Sequence, residues 1–333
     1  MNRTENAIPG GRLLSYAAWF AGVGKVAQLA ACILVLLFVP AIIPTIALSH
    51  NYPADQSGVT LAADLGSRQP RLVFCSETTS QTPPKFYYPN PLRPYMKRLK
   101  ENYHLAEMTA EAQSDIERVK IICNWVHQQW EHQGNCPVQP NDPIAILEAA
   151  RKGSKFSCYE YSLVAAACLS SIGIKSRIVV LLPQDVEYRY DGNYHVVAEA
   201  YLKRRRKWVM VDAQFNAVPT LNQNPLCLIE LQNALVRYLS GNELTKRLDE
   251  IDFGNLNEEI SSTYPRDLFV YLYYFYTPCD NRVVGAKAPE NFGGGVMLVP
   301  SGESAPRSFA QAPIGDFITT NAVTDFYRQV TQP

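Results

Sequence analysis

The sequence predicts an α+β domain standing behind one N-terminal transmembrane helix. Three observations carry that expectation: an uncharged apolar run near the start, helical periodicity in the middle of the chain, and strand-like segments after it. The 333 residues suffice for one large domain or two modest ones. With 31 basic and 31 acidic side chains the formal charge is zero, so nothing draws the chain to nucleic acid and no such partner is expected.

The apolar run comes first. No Asp, Glu, Lys or Arg occurs between Val26 and Tyr52, and Val26 to Leu48 is a stretch of 23 residues. At about 1.5 Å per residue, a helix of that length crosses a hydrocarbon core of ~30 Å. Arg3, Arg12 and Lys25 precede it and Asp55 is the first charge after it, so residues 1–25 are expected in the cytoplasm and the rest outside. Pro40 and Pro44 interrupt its second half, and Ala47-Leu48-Ser49 offers a small-residue cleavage site. The segment 26–48 therefore reads as an anchor, with a long cleaved signal as the alternative. Eight cysteines are spread along the chain, and with one in the apolar run and one held back as a nucleophile, six allow 15 pairings that spacing alone does not decide.

Residues 51–105 are rich in Pro, Ser, Thr and Gln and read as an extended lead-in or linker. A helix is expected from about Thr109 to Trp130, where Ile116, Val119, Ile122, Cys123, Val126 and Trp130 share one apolar face. Asp142-Pro143 opens a second helix that stops before Gly153, with Asp as N-cap and Pro in the first turn. A third starts at Ser157-Cys158 and closes at Gly173, with small and aliphatic residues on all sides, so it is expected to be buried. Strands follow at 176–182, 195–202 and 207–213; in the second, His195, Val197, Glu199 and Tyr201 alternate with Val196, Ala198, Ala200 and Leu202. A helix near Cys227 to Tyr238, a polar stretch to about Tyr264, an aromatic strand at 268–276 and a short strand at 296–299 complete the reading. The main domain is thus expected over 106–260, with a β-rich extension over 261–333.

Three residues combine into chemistry. A thiol acts as a nucleophile through its thiolate, which a helix N-terminus favours through its dipole and free N–H groups; Cys158 sits at such a start. The same N–H groups suit the oxyanion of a tetrahedral intermediate. A histidine must then serve as general base and acid, and a carboxylate must fix its tautomer. His195 opens one strand and Asp212 ends the next. Antiparallel pairing about a turn near residue 204 places 195 opposite roughly 213, bringing the two together at one sheet end.

The string GSKFSCYEYSLVAAACLSSIGIKSRIVVL, followed by YHVVAEAYL and KWVMVDAQFN, resembles the core of the transglutaminase-like superfamily over about residues 110–216. The matching features are Cys158 at a helix start, Gly173-Ile174-Lys175-Ser176-Arg177 at a strand entry, His195 to Glu199, and Trp208 to Asp212. The resemblance implies a papain-like core with an antiparallel sheet packed on the Cys-bearing helix, a Cys158–His195–Asp212 triad and no cofactor. It leaves open cross-linking acyl transfer, peptidase or amidase activity, and an inactive module that binds peptide or glycan in the same cleft. Phe156-Ser157 precede the cysteine where the family often has glycine. The substrate is expected to be a peptide, a protein or a cell-envelope component.

Other readings remain beside this one. Trp130 and His132 border the expected cleft, as substrate contacts or as packing, with the Trp130 indole a further oxyanion donor; Glu199 is a third candidate substrate contact, and otherwise holds a nearby loop or forms an ion pair. Cys123, His127, His132 and Cys136 match no zinc spacing, so no metal is expected. The basic run Lys203 to Lys207 reads as a solvated hairpin turn.

Overall fold

A computed structural model describes residues 72–77, 83–134, 141–189, 192–239, 251–282, 294–309, 312–313 and 316–328, all within the compact unit Ala47–Pro333. The apolar run 26–48 and Cys136 lie outside the described residues. Among the described residues no helix is long and apolar enough to cross a membrane, and no two cysteines are bridged.

The first helices are α1 (Pro94–Asn102), α2 (Leu105–Met108), α3 (Asp115–His127), α4 (Pro143–Ala150) and α5 (Cys158–Ser171). Part of the expected lead-in is therefore helical. Pro94 occupies the first turn of α1, where its missing N–H costs nothing, and Met96 and Leu99 are buried beneath it. Helix α3 is shorter than the 109–130 expected because Ser114 is its N-cap, accepting from the Glu117 N–H. At α4 the Asp142 carboxylate accepts from the N–H groups of Ile144 and Ala145, and from the Tyr95 hydroxyl at 2.5 Å. Helix α5 opens on a Ser157–Glu160 capping box and ends at Gly173, whose φ of +86° suits glycine.

Strands β1 (Ser176–Leu182), β2 (His195–Leu202) and β3 (Lys207–Val211) follow, then β4 (Ala217–Leu221), β5 (Asn224–Pro225), α6 (Leu228–Leu239) and β6 (Ile251–Gly254). Next come α7 (Glu258–Ser261), α8 (Tyr264–Tyr271), β7 (Tyr274–Pro278), β8 (Gly295–Leu298), β9 (Ser308–Phe309), β10 (Ala312–Pro313), β11 (Phe317–Thr320) and α9 (Val323–Phe326). The expected strand at 268–276 is thus half wrong. Its first half is helix α8, with Pro265 in the first turn and Tyr264, Leu268 and Tyr271 buried at three- and four-residue steps. The expected polar stretch before it contains β6, whose Ile251 and Phe253 are buried while Asp252 and Gly254 are exposed.

The main sheet has the order β11-β8-β7-β1-β2-β3 and is antiparallel except between β11 and β8, so strands of the C-terminal segment complete the sheet begun by β1 to β3. Both faces are covered. Helix α5 packs on Ala198 and Ala200, with α1, α3 and α4 completing that core. Helices α6 and α8 cover Val179, Leu181, Val197 and Met210 on the other face. Both alternating sets of β2 are accordingly buried, save the partly exposed Tyr201. At β8, Gly295 leaves room for the Tyr276 ring of β7; a Cβ there would lie 2.3 Å from it.

Candidate active site

The β2–β3 hairpin sets the geometry. Leu202 pairs with Lys207 and Ala198 with Val211 around an exposed turn of Lys203 to Arg206. Continued by three residues, that register sets 195 against 214, one residue beyond the expectation, because the four-residue turn is centred between 204 and 205. Asp212 then bends back on Ala217 through two backbone hydrogen bonds of 2.8 and 2.9 Å. Helix α3 holds this bend from outside. Its Cys123 thiol reaches the Asp212 carbonyl at 3.6 Å, and His127 Nδ1 lies 3.2 and 3.0 Å from the carbonyls of Ala213 and Gln214. Burial pushes the Cys123 thiol well up, consistent with a packing role.

The structure brings the three sequence-derived residues together. His195 Nε2 lies 2.7 Å from Asp212 Oδ2, and the Cys158 sulfur is near enough to the His195 ring to help raise its pKa. With Nε2 committed to the carboxylate, Nδ1 is the nitrogen left for sulfur. By alternation His195 shares its face with Val197, away from α5. Its ring meets Cys158 at the end of the sheet because His195 is the first residue of β2 and Cys158 the first of α5. All three are enclosed: Cys158 and His195 are each 5% exposed and Asp212 is fully buried.

Burial works against charge on the imidazole, but the Asp212 carboxylate and the Cys158 sulfur outweigh it, and His195 is pushed up to about 10. The carboxylate is held by more than histidine. Asp212 Oδ1 accepts from the Phe215 N–H at 3.4 Å, and Oδ2 also accepts from the Tyr264 hydroxyl of α8 at 2.9 Å. Tyr264 carried no signal in the sequence reading. The Tyr-Pro pair at a helix start was the only cue to its element.

The remaining expectations fare differently. At the head of α5, Ser157 accepts from the Tyr159 and Glu160 N–H groups. Trp130 is packed, 5.4 Å from Phe156 and 4.5 Å from Tyr161 between ring centres, and its buried indole N–H has no hydrogen-bond partner. His132 pairs its backbone with Phe156, two residues before Cys158, and is half-buried. Glu199 meets no cleft. It is fully buried, and its carboxylate accepts from Arg177 at 2.8 and 3.2 Å, the Tyr327 hydroxyl at 2.8 Å and the Leu228 N–H at 3.3 Å. The ion-pair reading of Glu199 is what the structure shows; as a substrate contact it is excluded, because its carboxylate is buried and spent on Arg177, Tyr327 and Leu228. Among the described residues no group of His, Cys, Asp and Glu is arranged for a metal ion.

Residues 103–213 match the family model described as the Transglutaminase-like superfamily. Among solved structures, a candidate cysteine protease from Cytophaga hutchinsonii is similar at 14% identity over 38% of this chain and 40% of its own, with a TM-score of 0.30. A candidate protease from Parabacteroides distasonis shows 14% identity over 40% of this chain and 31% of its own, at 0.25. A TGase structure shows 14% over 57% and 38%, at 0.26. The chain thus spans 31–40% of the length of these three, and at such scores the likeness says nothing of activity. No curated protein matches the chain. The transglutaminase-like match thus covers 103–213, the stretch that carries the Cys-bearing helix and strands β1 to β3.

Proposed function

We propose that the protein is a thiol-dependent acyl-transfer enzyme of the amidase, peptidase or transglutaminase type. The observation that carries this reading is the gathering of three residues: a thiol at the head of α5 beside an imidazole whose Nε2 lies 2.7 Å from a buried carboxylate.

Cys158 gives its proton to His195, and the sulfur attacks an amide carbonyl carbon. The S–C bond forms as the carbonyl electrons move onto oxygen. Collapse breaks the C–N bond while His195 returns its proton to the departing amine. A thioester remains, and water or a second amine attacks it with His195 as base, freeing the thiol. Asp212 keeps the imidazole in the tautomer and orientation that both proton transfers require.

The class of substrate is an amide of a peptide, a protein or a cell-envelope polymer. Residues 26–48, with basic residues ahead of them, support action outside the cytoplasm from a membrane anchor. Protease digestion of the membrane-bound chain in sealed vesicles of known orientation tests that placement. Protection of the 106–260 region on the outer side would refute it. For the chemistry, the protein is incubated with peptide and cell-wall fragments and its intact mass recorded. A covalent adduct on Cys158 that hydroxylamine removes supports the thioester. Fragments that remain unchanged, with no adduct on a demonstrably folded protein, oppose it.

A further inference from the structure

We propose that Tyr264, which lies outside the matched core, is a positioning residue for the triad: its hydroxyl shares Asp212 Oδ2 with His195 and sets how strongly the carboxylate grips the imidazole. The proposal rests on reading Cys158, His195 and Asp212 as a working triad.

An ionised carboxylate only accepts hydrogen bonds, so the phenol must be the donor in the 2.9 Å contact. Oδ2 then has two donors, Tyr264 and His195, and Oδ1 has the Phe215 N–H. The phenol cannot easily swing away. Tyr264 is 2% exposed at the first residue of α8, edge-on to Phe253 at 5.5 Å between ring centres and tilted on Phe215 at 4.9 Å. Phe215 in turn lies 5.8 Å from the His195 ring. Seven residues on, two turns along the same helix, Tyr271 lies 6.1 Å from that ring. Helix α8 thus meets both the acid and the base of the triad.

The titratable groups facing the His195–Asp212 pair are Cys158 from α5, Cys123 from α3, and Tyr264 and Tyr271 from α8. Of these, Tyr264 is the one that donates a side-chain hydrogen bond to the same carboxylate oxygen as the histidine. A second donor spreads the negative charge of Oδ2 and so weakens its hold on the imidazolium. The consequence is kinetic. A histidine gripped less tightly returns its proton to the leaving amine more readily.

The test uses the full chain carrying 15N-labelled histidine, with the His195 ring signals assigned by loss in a His195→Asn variant. In Tyr264→Phe, which keeps the ring packing, the Nε2 proton of His195 is expected to move downfield and the ring to titrate at higher pH. Replacing Tyr264 by 3-fluorotyrosine, a stronger donor, should move both the opposite way. Phe253→Leu disturbs the packing around Tyr264 but not its hydroxyl, and is expected to move neither. Unchanged His195 signals in Tyr264→Phe, or equal shifts in Phe253→Leu, would overturn the proposal. The readout needs no turnover. An inert Cys158 would count against the proposed function, while the His195 shifts would still decide the role of Tyr264.

Discussion

Strand β2 carries two buried acid–base pairs four residues apart. At its start His195 meets Asp212, and further along Glu199 meets Arg177. Each acid also accepts from a tyrosine hydroxyl of the C-terminal segment, Tyr264 on Asp212 at 2.9 Å and Tyr327 on Glu199 at 2.8 Å. The pairs differ in the base. The Arg177 guanidinium keeps its proton at any ordinary pH and is enclosed by Trp208 and Phe326, each with its ring centre 4.5 Å away. Its Nη1 donates to the Phe326 carbonyl at 2.8 Å, so this pair ties α9 to the sheet. His195 can lose and regain its proton and lies beside a thiol. Burial of charge is common to both; only the pair with a titratable base and a nucleophile is equipped for acyl transfer.

The largest effect should come from making the first pair resemble an inert contact. Asp212→Asn keeps the size and loses the charge, and by analogy with other triads should slow turnover by about 10³–10⁴-fold. Steady-state kinetics with an unchanged circular dichroism spectrum is the check. In the second pair the loss should appear in stability instead. Arg177→Ala strands a buried carboxylate and should cost about 3–5 kcal/mol in urea unfolding, while Arg177→Met with Glu199→Leu should recover most of it. If the double variant is no better than the single one, the second pair is more than a weld.

Acidity separates the pairs next. The folded protein holds the His195 proton up to about 10, against 6.5 for the ordinary group. The imidazolium's stabilising contribution is therefore full below pH 6.5 and lost as the pH rises toward 10. Urea midpoints of the wild type should fall across that window more steeply than those of His195→Ala. The Arg177 pair, whose base does not titrate there, should add no such slope. The smallest effect is at the head of α5: Ser157→Ala removes the capping box and should cost about 1 kcal/mol, read from the same unfolding curves.

What was legible in the sequence was mostly local. Asp142 and Ser157 announce helix starts by hydrogen bonds within three residues, and Gly173 announces an end by its left-handed backbone. The alternation of β2 and the short basic turn fixed the hairpin to within one residue, enough to place His195 beside Asp212. The match over 103–213 covers the same stretch. What failed was set by distant packing. In α8 the residues that favour strands by propensity are buried in a helix, where tertiary contacts override that preference. Tyr264 meets Asp212 across 52 residues and Tyr327 meets Glu199 across 128 residues, and no local pattern records such encounters. Glu199, read beforehand as a substrate contact, shows the same limit: its position on the strand was evident, but Arg177, Tyr327 and Leu228 as its partners were not.

The central claim is that His195 and its carboxylate activate the Cys158 thiol. The most direct test is the rate of iodoacetamide modification of Cys158, followed by peptide mass across pH, in the wild type and in His195→Ala. The account predicts modification of Cys158 faster than in the denatured chain, and slowed when His195 is removed. Modification of Cys158 no faster than in the denatured chain, or unaffected by the loss of His195, would contradict it.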